Sequence, residues 1–187
     1  MKKTVKLPDD FFLGAAASAW QTEGWFGKKE HQDSYIDLWY KENKNVWHNG
    51  YGPAIATDYY HRYQEDIGYM KDIGMNCYRT SLNWSRFLTD YENVVVDEDY
   101  AAYYDKMLDE MIAQGIEPMV CLEHYEIPRE LFEKYDGFAS KHVVELFVKY
   151  ARKALKDLVV KLNIGLLLMN QWSFKQESFR CFALSIL

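Results

Sequence analysis

Asn76-Cys77-Tyr78-Arg79-Thr80-Ser81-Leu82-Asn83-Trp84-Ser85-Arg86 (residues 76–86) decides how the rest of the chain is read. Asn76 to Trp84 reads as a strand, in which alternation puts Cys77, Arg79 and Ser81 on one face and Tyr78, Thr80 and Leu82 on the other. A helical stretch precedes it. Asp58 offers an N-cap, Tyr59, Tyr63, Ile67 and Met70 recur at helical spacing, and Gly74 is a stop. A second helix follows, capped by Asp97, with Tyr100, Tyr104, Met107, Leu108 and Met111 as its apolar face and Gly115 at its end. Ile116 to His124 reads as another strand. Ser140 then opens a third helix through Val144, Phe147, Val148, Ala151 and Leu155. Such alternation implies an α/β fold, a parallel sheet with right-handed crossovers.

Upstream, Phe11 to Ala19 reads as a first strand, dominated by the small residues Gly14-Ala15-Ala16-Ala17-Ser18-Ala19. Alanines make a poor strand by propensity, so crowding at a barrel centre is the expected reason for them. The aromatic-rich segment from Trp20 to Ala56 is too long for an ordinary connection, and it reads as a lid or binding loop.

Each of the three strands ends in polar residues: Trp20-Gln21, Arg79 to Trp84, and Glu123-His124-Tyr125-Glu126. In a parallel β/α barrel the active site is assembled at that edge from several strands. The amide of Gln21 donates and accepts at once, which suits adjacent sugar hydroxyls, although an ordinary polar loop residue would look the same. Arg79 lies mid-strand and needs a partner, since burying a lone charge is costly. A carboxylate inside the barrel would serve, either in a site or as a structural ion pair. His124 at a strand end suits either a substrate hydroxyl or a strand cap. The five histidines (His31, His48, His61, His124, His142) show no ligand pair at helical or hairpin spacing, which argues against a metal.

Composition narrows the partners. The chain has 22 Lys+Arg against 28 Asp+Glu, a net charge of −6, and no basic stripe, so neither nucleic acid nor an anionic membrane is expected. Nor does any apolar run approach the roughly 18 residues of a membrane span. Cys77, Cys121 and Cys181 have no CxxC spacing, and the first two fall in apolar strands, as reduced cytoplasmic cysteines would. The N-terminus lacks the apolar region of a signal peptide.

Taken together, the motifs resemble the β-glucosidase family of retaining glycoside hydrolases, family 1. They are Phe11 through Gly24, Asp58 through Asp66, Tyr78-Arg79-Thr80-Ser81 with Trp84-Ser85-Arg86, and His124. The resemblance implies a (β/α)8 TIM barrel, of which this chain would hold the N-terminal three to four β/α units. It also implies a β-glucoside substrate and no cofactor. By the same resemblance, Gln21 and His124 bind sugar in the first subsite, and Arg79 contacts the nucleophilic carboxylate. Tyr125 and Glu126, where the family more often has Trp and Asp, are similar to the bacterial branch acting on 6-phospho-β-glucosides.

From Leu158 onward the composition shifts, with Glu177 the lone acid. The resemblance calls for Asn-Glu-Pro at the end of the fourth strand, and the acid/base slot holds Asn170 instead. When each third base is regrouped with the next codon's first two, Met169-Asn170 forces Glu and Asn170-Gln171 allows only Pro or Ser. The shifted reading of this stretch can be Glu-Tyr-Trp-Leu-Thr-Phe-Asn-Glu-Pro-Met. The expectation is a one-nucleotide frameshift near Ala154 to Lys156, with residues 1–157 a partial barrel and 158–187 an out-of-frame tail. No nucleophile counterpart is found, so the chain as written is expected to be inactive. A non-catalytic sugar-binding remnant is the alternative.

Overall fold

The computed structural model describes residues 6–158 and the backbone of 164–166. Strand β1 (Gly14–Ala16) leads into the one-turn helix α1 (Ala19–Thr22), followed by α2 (Tyr35–Glu42) and α3 (Tyr59–Asp72). Strand β2 (Cys77–Ser81) then gives way to α4 (Trp84–Phe87) and a hairpin of β3 (Leu88–Asp90) and β4 (Val95–Val96). The chain continues through α5 (Glu98–Ala113), β5 (Glu117–Cys121), α6 (Arg129–Tyr135), α7 (Lys141–Leu158) and β6 (Ile164–Leu166). Strands β1, β2, β5 and β6 form one four-stranded sheet in that order, every neighbouring pair parallel. The hydrophobic face of this sheet is covered by helices, as parallel sheets require.

Helix α5 forms where the spacing predicts it. Tyr100, Tyr104, Met107, Leu108 and Met111 are all buried. Asp97 caps the helix by accepting from the backbone N–H groups of Asp99 and Tyr100, an interaction worth about 1 kcal/mol. In α7 the buried face is Val143, Leu146, Phe147, Tyr150, Ala151, Ala154 and Leu158. The predicted face is corrected here: Val148 is 42 % exposed and Val144 and Leu155 are only half-buried. Tyr150 sets the rotation. Its ring stacks on Trp84 at 5.2 Å, and its single O–H is shared between the carbonyls of Leu82 and Leu122, each at 3.1 Å. The Tyr104 hydroxyl likewise donates to the Ser81 carbonyl at 2.6 Å. Two core tyrosines thus hold the backbone just where β2 and β5 end.

The first strand is shorter than expected, and Gly14–Ala16 is exposed throughout rather than crowded from within a barrel. Its small residues answer to the neighbouring strand instead. A Cβ added at Gly14 would lie 1.9 Å from the Cys77 carbonyl oxygen, so only glycine lets β1 approach β2 this closely. Phe11, Phe12 and Leu13 lead into this edge exposed. The second and third strands also stop early, at Ser81 and Cys121, with Trp84 already helical. Asp58 precedes α3 as predicted but does not cap it. At φ 54° its carboxylate turns to His61 Nδ1, 2.7 Å away. The segment 20–56 is not a bare loop, since it contains α1 and α2. Helix α6 and the β3–β4 hairpin had no counterpart in the sequence reading.

Cys77 and Cys121 are free and buried. Strand β6 pairs with β5 through Met119–Ile164, in the region where the sequence reading places the fourth strand. Cys181, Asn170, the shifted Asn-Glu-Pro and all but the start of the 158–187 tail lie outside the described residues. Among the described residues no helix is long and apolar enough to cross a membrane.

Candidate active site

The C-terminal ends of β1, β2 and β5 meet through short polar bonds. The Ala17 N–H donates to the Arg79 carbonyl at 2.9 Å, and the Ala19 N–H to Ser81 Oγ at 2.8 Å. Ser81 Oγ–H in turn donates to Glu126 Oε1 at 2.8 Å, and the same oxygen accepts the Trp20 N–H at 3.1 Å. One serine and one carboxyl therefore tie α1, and Gln21 with it, to β2 and to the loop after β5.

Arg79 adds a second tie. Its Nη1 donates to the Ala17 carbonyl at 2.8 Å and to His124 Nδ1 at 3.1 Å. The carboxylate expected beside it is not found, since no acid among the described residues is within ion-pair distance of Arg79. Nη1 has two hydrogens and both are used, which leaves the Nε–H and the Nη2 amino group facing no partner among the described residues. Burial, and then the Arg79 cation, lower His124 to about 4. The imidazole is therefore neutral near pH 7. The residue after it, Tyr125, has φ 72°, a conformation uncommon for a bulky side chain and characteristic of constrained sites.

Gln21 and His124 line a single pocket of about 380 Å³ with Ser18, Trp20, Trp39, Trp47 and Tyr125. Gln21 is exposed and His124 half-buried, so both can be reached from solvent. The wall is a cluster of rings in which Trp47 lies 5.8 Å from Trp20, 4.9 Å from Trp39 and 5.4 Å from Tyr40. Asp37, 1 % exposed, organises this wall. It accepts the indole N–H groups of Trp20 and Trp25 at 3.0 and 2.8 Å, pairs with Lys28, and forms a capping box with Ser34 at the start of α2. The sequence reading found neither Asp37 nor the roles of Ser81 and Glu126 as ties. The spacing Ser34-x-x-Asp37 was a visible helix-start signal, but the indole bonds that converge on Asp37 leave no sequence trace.

Three buried carboxyls surround the strand ends. Burial raises Glu23 to about 7, opposed by the Arg86 guanidinium 2.9 Å away and by the Tyr100 hydroxyl. Burial pushes Glu123 up to about 8 against the backbone N–H groups of Tyr125, Glu126 and Ile127. It holds Glu126 well above the carboxylate range, helped by Glu123 nearby. Glu123 is thus largely a neutral acid at pH 7, and burial drives Glu126 in the same direction, which lowers the cost of burying a bare charge. Among the described residues no cluster of three or more His, Cys, Asp or Glu could hold a metal ion. A second cavity, between Glu30 and Lys134, is lined by exposed ion pairs and by none of the strand-end residues.

The sequence profile of glycosyl hydrolase family 1 matches residues 3–184. The chain belongs to glycosyl hydrolase family 1. Beta-glucosidase 24 of Oryza sativa subsp. japonica is 36 % identical over 170 residues, covering 90 % of this chain and 34 % of the relative. The 6-phospho-beta-glucosidase GmuD of Bacillus subtilis is 34 % identical over 151 residues, covering 81 % and 32 %. Among solved structures, the rice Os3BGlu6 beta-glucosidase superposes with a TM-score of 0.78 at 29 % identity, over 86 % of this chain and 33 % of that one. An aphid myrosinase gives the same TM-score at 26 % identity, over 86 % and 35 %. The four parallel strands are accordingly part of a family 1 TIM barrel, and the chain spans about a third of the length of the relatives it matches.

Proposed function

We propose that this chain forms the sugar-recognition part of the first subsite of a retaining β-glycosidase. The observation that carries this reading is the convergence of Gln21 and His124 on one aromatic-walled pocket at the strand ends. Gln21 offers both a donor and an acceptor, and beside neutral His124 the rings of Trp39 and Trp47 offer apolar faces to a pyranose. In the complete barrel, one carboxylic acid protonates the glycosidic oxygen while a carboxylate attacks the anomeric carbon. The aglycone leaves with that proton, and water then releases the sugar while the first residue takes a proton back. A rice relative has been captured in a covalent complex with glucose, which accords with such an intermediate. The Nε–H and Nη2 donors of Arg79 suit the attacking carboxylate, which the rest of the barrel would contribute.

The substrate class we infer is β-glucosides, 6-phospho-β-glucosides among them, from the Tyr125-Glu126 pair and the similarity to the Bacillus enzyme. Buried, reduced Cys77 and Cys121 fit a cytoplasmic setting. We further propose that 158–187 is read out of frame and that the chain by itself turns nothing over, because Asn170 cannot donate a proton as an acid. Resequencing codons 152 to 172 tests the frame: one base change should restore Asn-Glu-Pro, and an intact written frame would refute it. Titrating the 187-residue chain with D-glucose, followed by tryptophan fluorescence, tests the subsite. Saturable quenching abolished by H124A supports it, and quenching unchanged by H124A overturns it.

A further inference from the structure

We propose that Lys28 and Asp37 are positioning residues for the aromatic pocket, neither of which lines it, and that they act through the indole of Trp20. Four charges alternate from solvent inward, from Lys41, 44 % exposed, to Asp37, 1 % exposed. Lys41 pairs with Asp33 at 2.5 Å, Asp33 with Lys28 at 2.7 Å, and Lys28 with Asp37 at 2.5 Å. The two oxygens of Asp37 have separate partners. Oδ2 accepts from Lys28 and from the N–H and hydroxyl of Ser34, while Oδ1 accepts both indoles. Lys28 and Lys41 each also lie 5.1 Å from the centre of the Trp25 ring, so Trp25 is held by its face as well as its edge.

Trp20 is thereby pinned at both ends, its backbone N–H by Glu126 Oε1 and its indole N–H by Asp37. It adjoins Gln21 and packs 5.8 Å from Trp47, so the same tie fixes a polar and an apolar part of the pocket. Resting on the sugar-site reading, the pair therefore sets the affinity for a neutral pyranose from beneath the wall. Without Lys28, Asp33 and Asp37 are two carboxylates with no cation between them, and an interior charge stripped of its partner disturbs whatever else it holds. Asparagine at 37 has one acceptor oxygen where the carboxylate has two. Whichever way its amide turns, donors meet donors, at the indoles or at Lys28.

The test combines 1H–15N correlation of the indole N–H groups with calorimetric titration by D-glucose, both on the 187-residue chain. The Trp20 and Trp25 signals are assigned by their absence in W20F and W25F. K28M and D37N should move both signals upfield and weaken glucose binding roughly tenfold, the worth of one net hydrogen bond. K28R, which keeps the charge, should recover most of that affinity. Because the pair acts through the Trp20 indole, K28M made in a W20F background should weaken binding little further. An equal loss with and without the Trp20 indole overturns the proposal, as do unchanged indole signals in a folded K28M. If D37N does not fold, the K28M, K28R and W20F series decides alone. If the indole signals move in K28M while wild type binds no glucose, the tie to Trp20 stands and the sugar-site reading fails.

Discussion

Replacing Glu123 by glutamine (E123Q) should leave stability unchanged at pH 5 and raise it at pH 9. The Glu123 carboxyl is 6 % exposed and takes bonds from three backbone N–H groups, while its Oε2 has no partner among the described residues. A glutamine fits the same place. Its carbonyl oxygen accepts from the backbone, and its amide replaces the unpartnered oxygen, so the variant imitates the protonated acid. The acid holds its proton to about 8 when folded, against about 4.5 when free. Between those values unfolding releases a proton, so stability is greatest below the lower one and falls as pH climbs through the window. The gap, at roughly 1.4 kcal/mol per pH unit, amounts to about 5 kcal/mol.

Urea unfolding followed by tryptophan fluorescence reads this directly. With a slope of about 2 kcal/mol per molar urea, the variant's midpoint should exceed that of wild type by about 2.5 M at pH 9. The two should coincide at pH 5. Wild type and E123Q that run parallel across the range would refute the burial argument for Glu123. A wild-type midpoint that climbs from pH 5 to 8 would refute the sign for the group as a whole, because Glu23 and Glu126 are raised as well.

R86A strands the Glu23 carboxyl in the core and removes a cation held 4.5 Å from the Tyr100 ring. It should cost about 3–5 kcal/mol in urea unfolding, and the double replacement R86M/E23M should cost less. W47A removes the ring that contacts Trp20, Trp39 and Tyr40, so D-glucose affinity measured by calorimetry should fall by about tenfold, near the worth of one aromatic contact. F12K/L13K puts charge on the exposed approach to the β1 edge, and sedimentation velocity should show less self-association than wild type. G14A forces a methyl into the Cys77 carbonyl, and hydrogen exchange should show faster exchange at Asn76 and Ala17, whose bonds hold β1 and its flanks to β2.

The contrast between α5 and α7 shows where the sequence was legible. In α5 the apolar residues fall on one face with polar residues between, so the period alone sets the rotation. In α7 the apolar residues come in runs, Val143-Val144 and Leu146-Phe147-Val148, which two rotations satisfy equally well. The choice is made by Tyr150, whose hydroxyl must reach two carbonyls at the ends of other segments. The site divides in the same way. Gln21, Arg79 and His124 announce themselves because polar residues closing apolar strands are unusual. Trp39 and Trp47 become pocket wall only because Asp37 draws the indoles of Trp20 and Trp25 together, a long-range choice that no local period encodes.

Three buried carboxyls so near one pocket look like a defect until their partners are considered. Glu126 joins Ser81 to the Trp20 N–H, Glu123 gathers the N–H groups of residues 125–127, and Glu23 engages Arg86 and Tyr100. Each one fixes the loop that follows a strand, and those loops carry Gln21, His124 and the Trp84-Ser85-Arg86 turn. An apolar residue at Glu123 or Glu126 would bury well, but it would leave buried backbone N–H groups unsatisfied, each at about 1–3 kcal/mol, and at Glu23 it would strand the Arg86 guanidinium. The upward shift of Glu123 and Glu126 retains the hydrogen bonds while reducing the charge penalty. The same choice links binding to pH: as Glu123 ionises above about pH 8, the loop that aims His124 loosens first. Loss of glucose affinity should therefore precede global unfolding as the solution is made alkaline, and simultaneous loss of both would show that the carboxyls serve the fold alone.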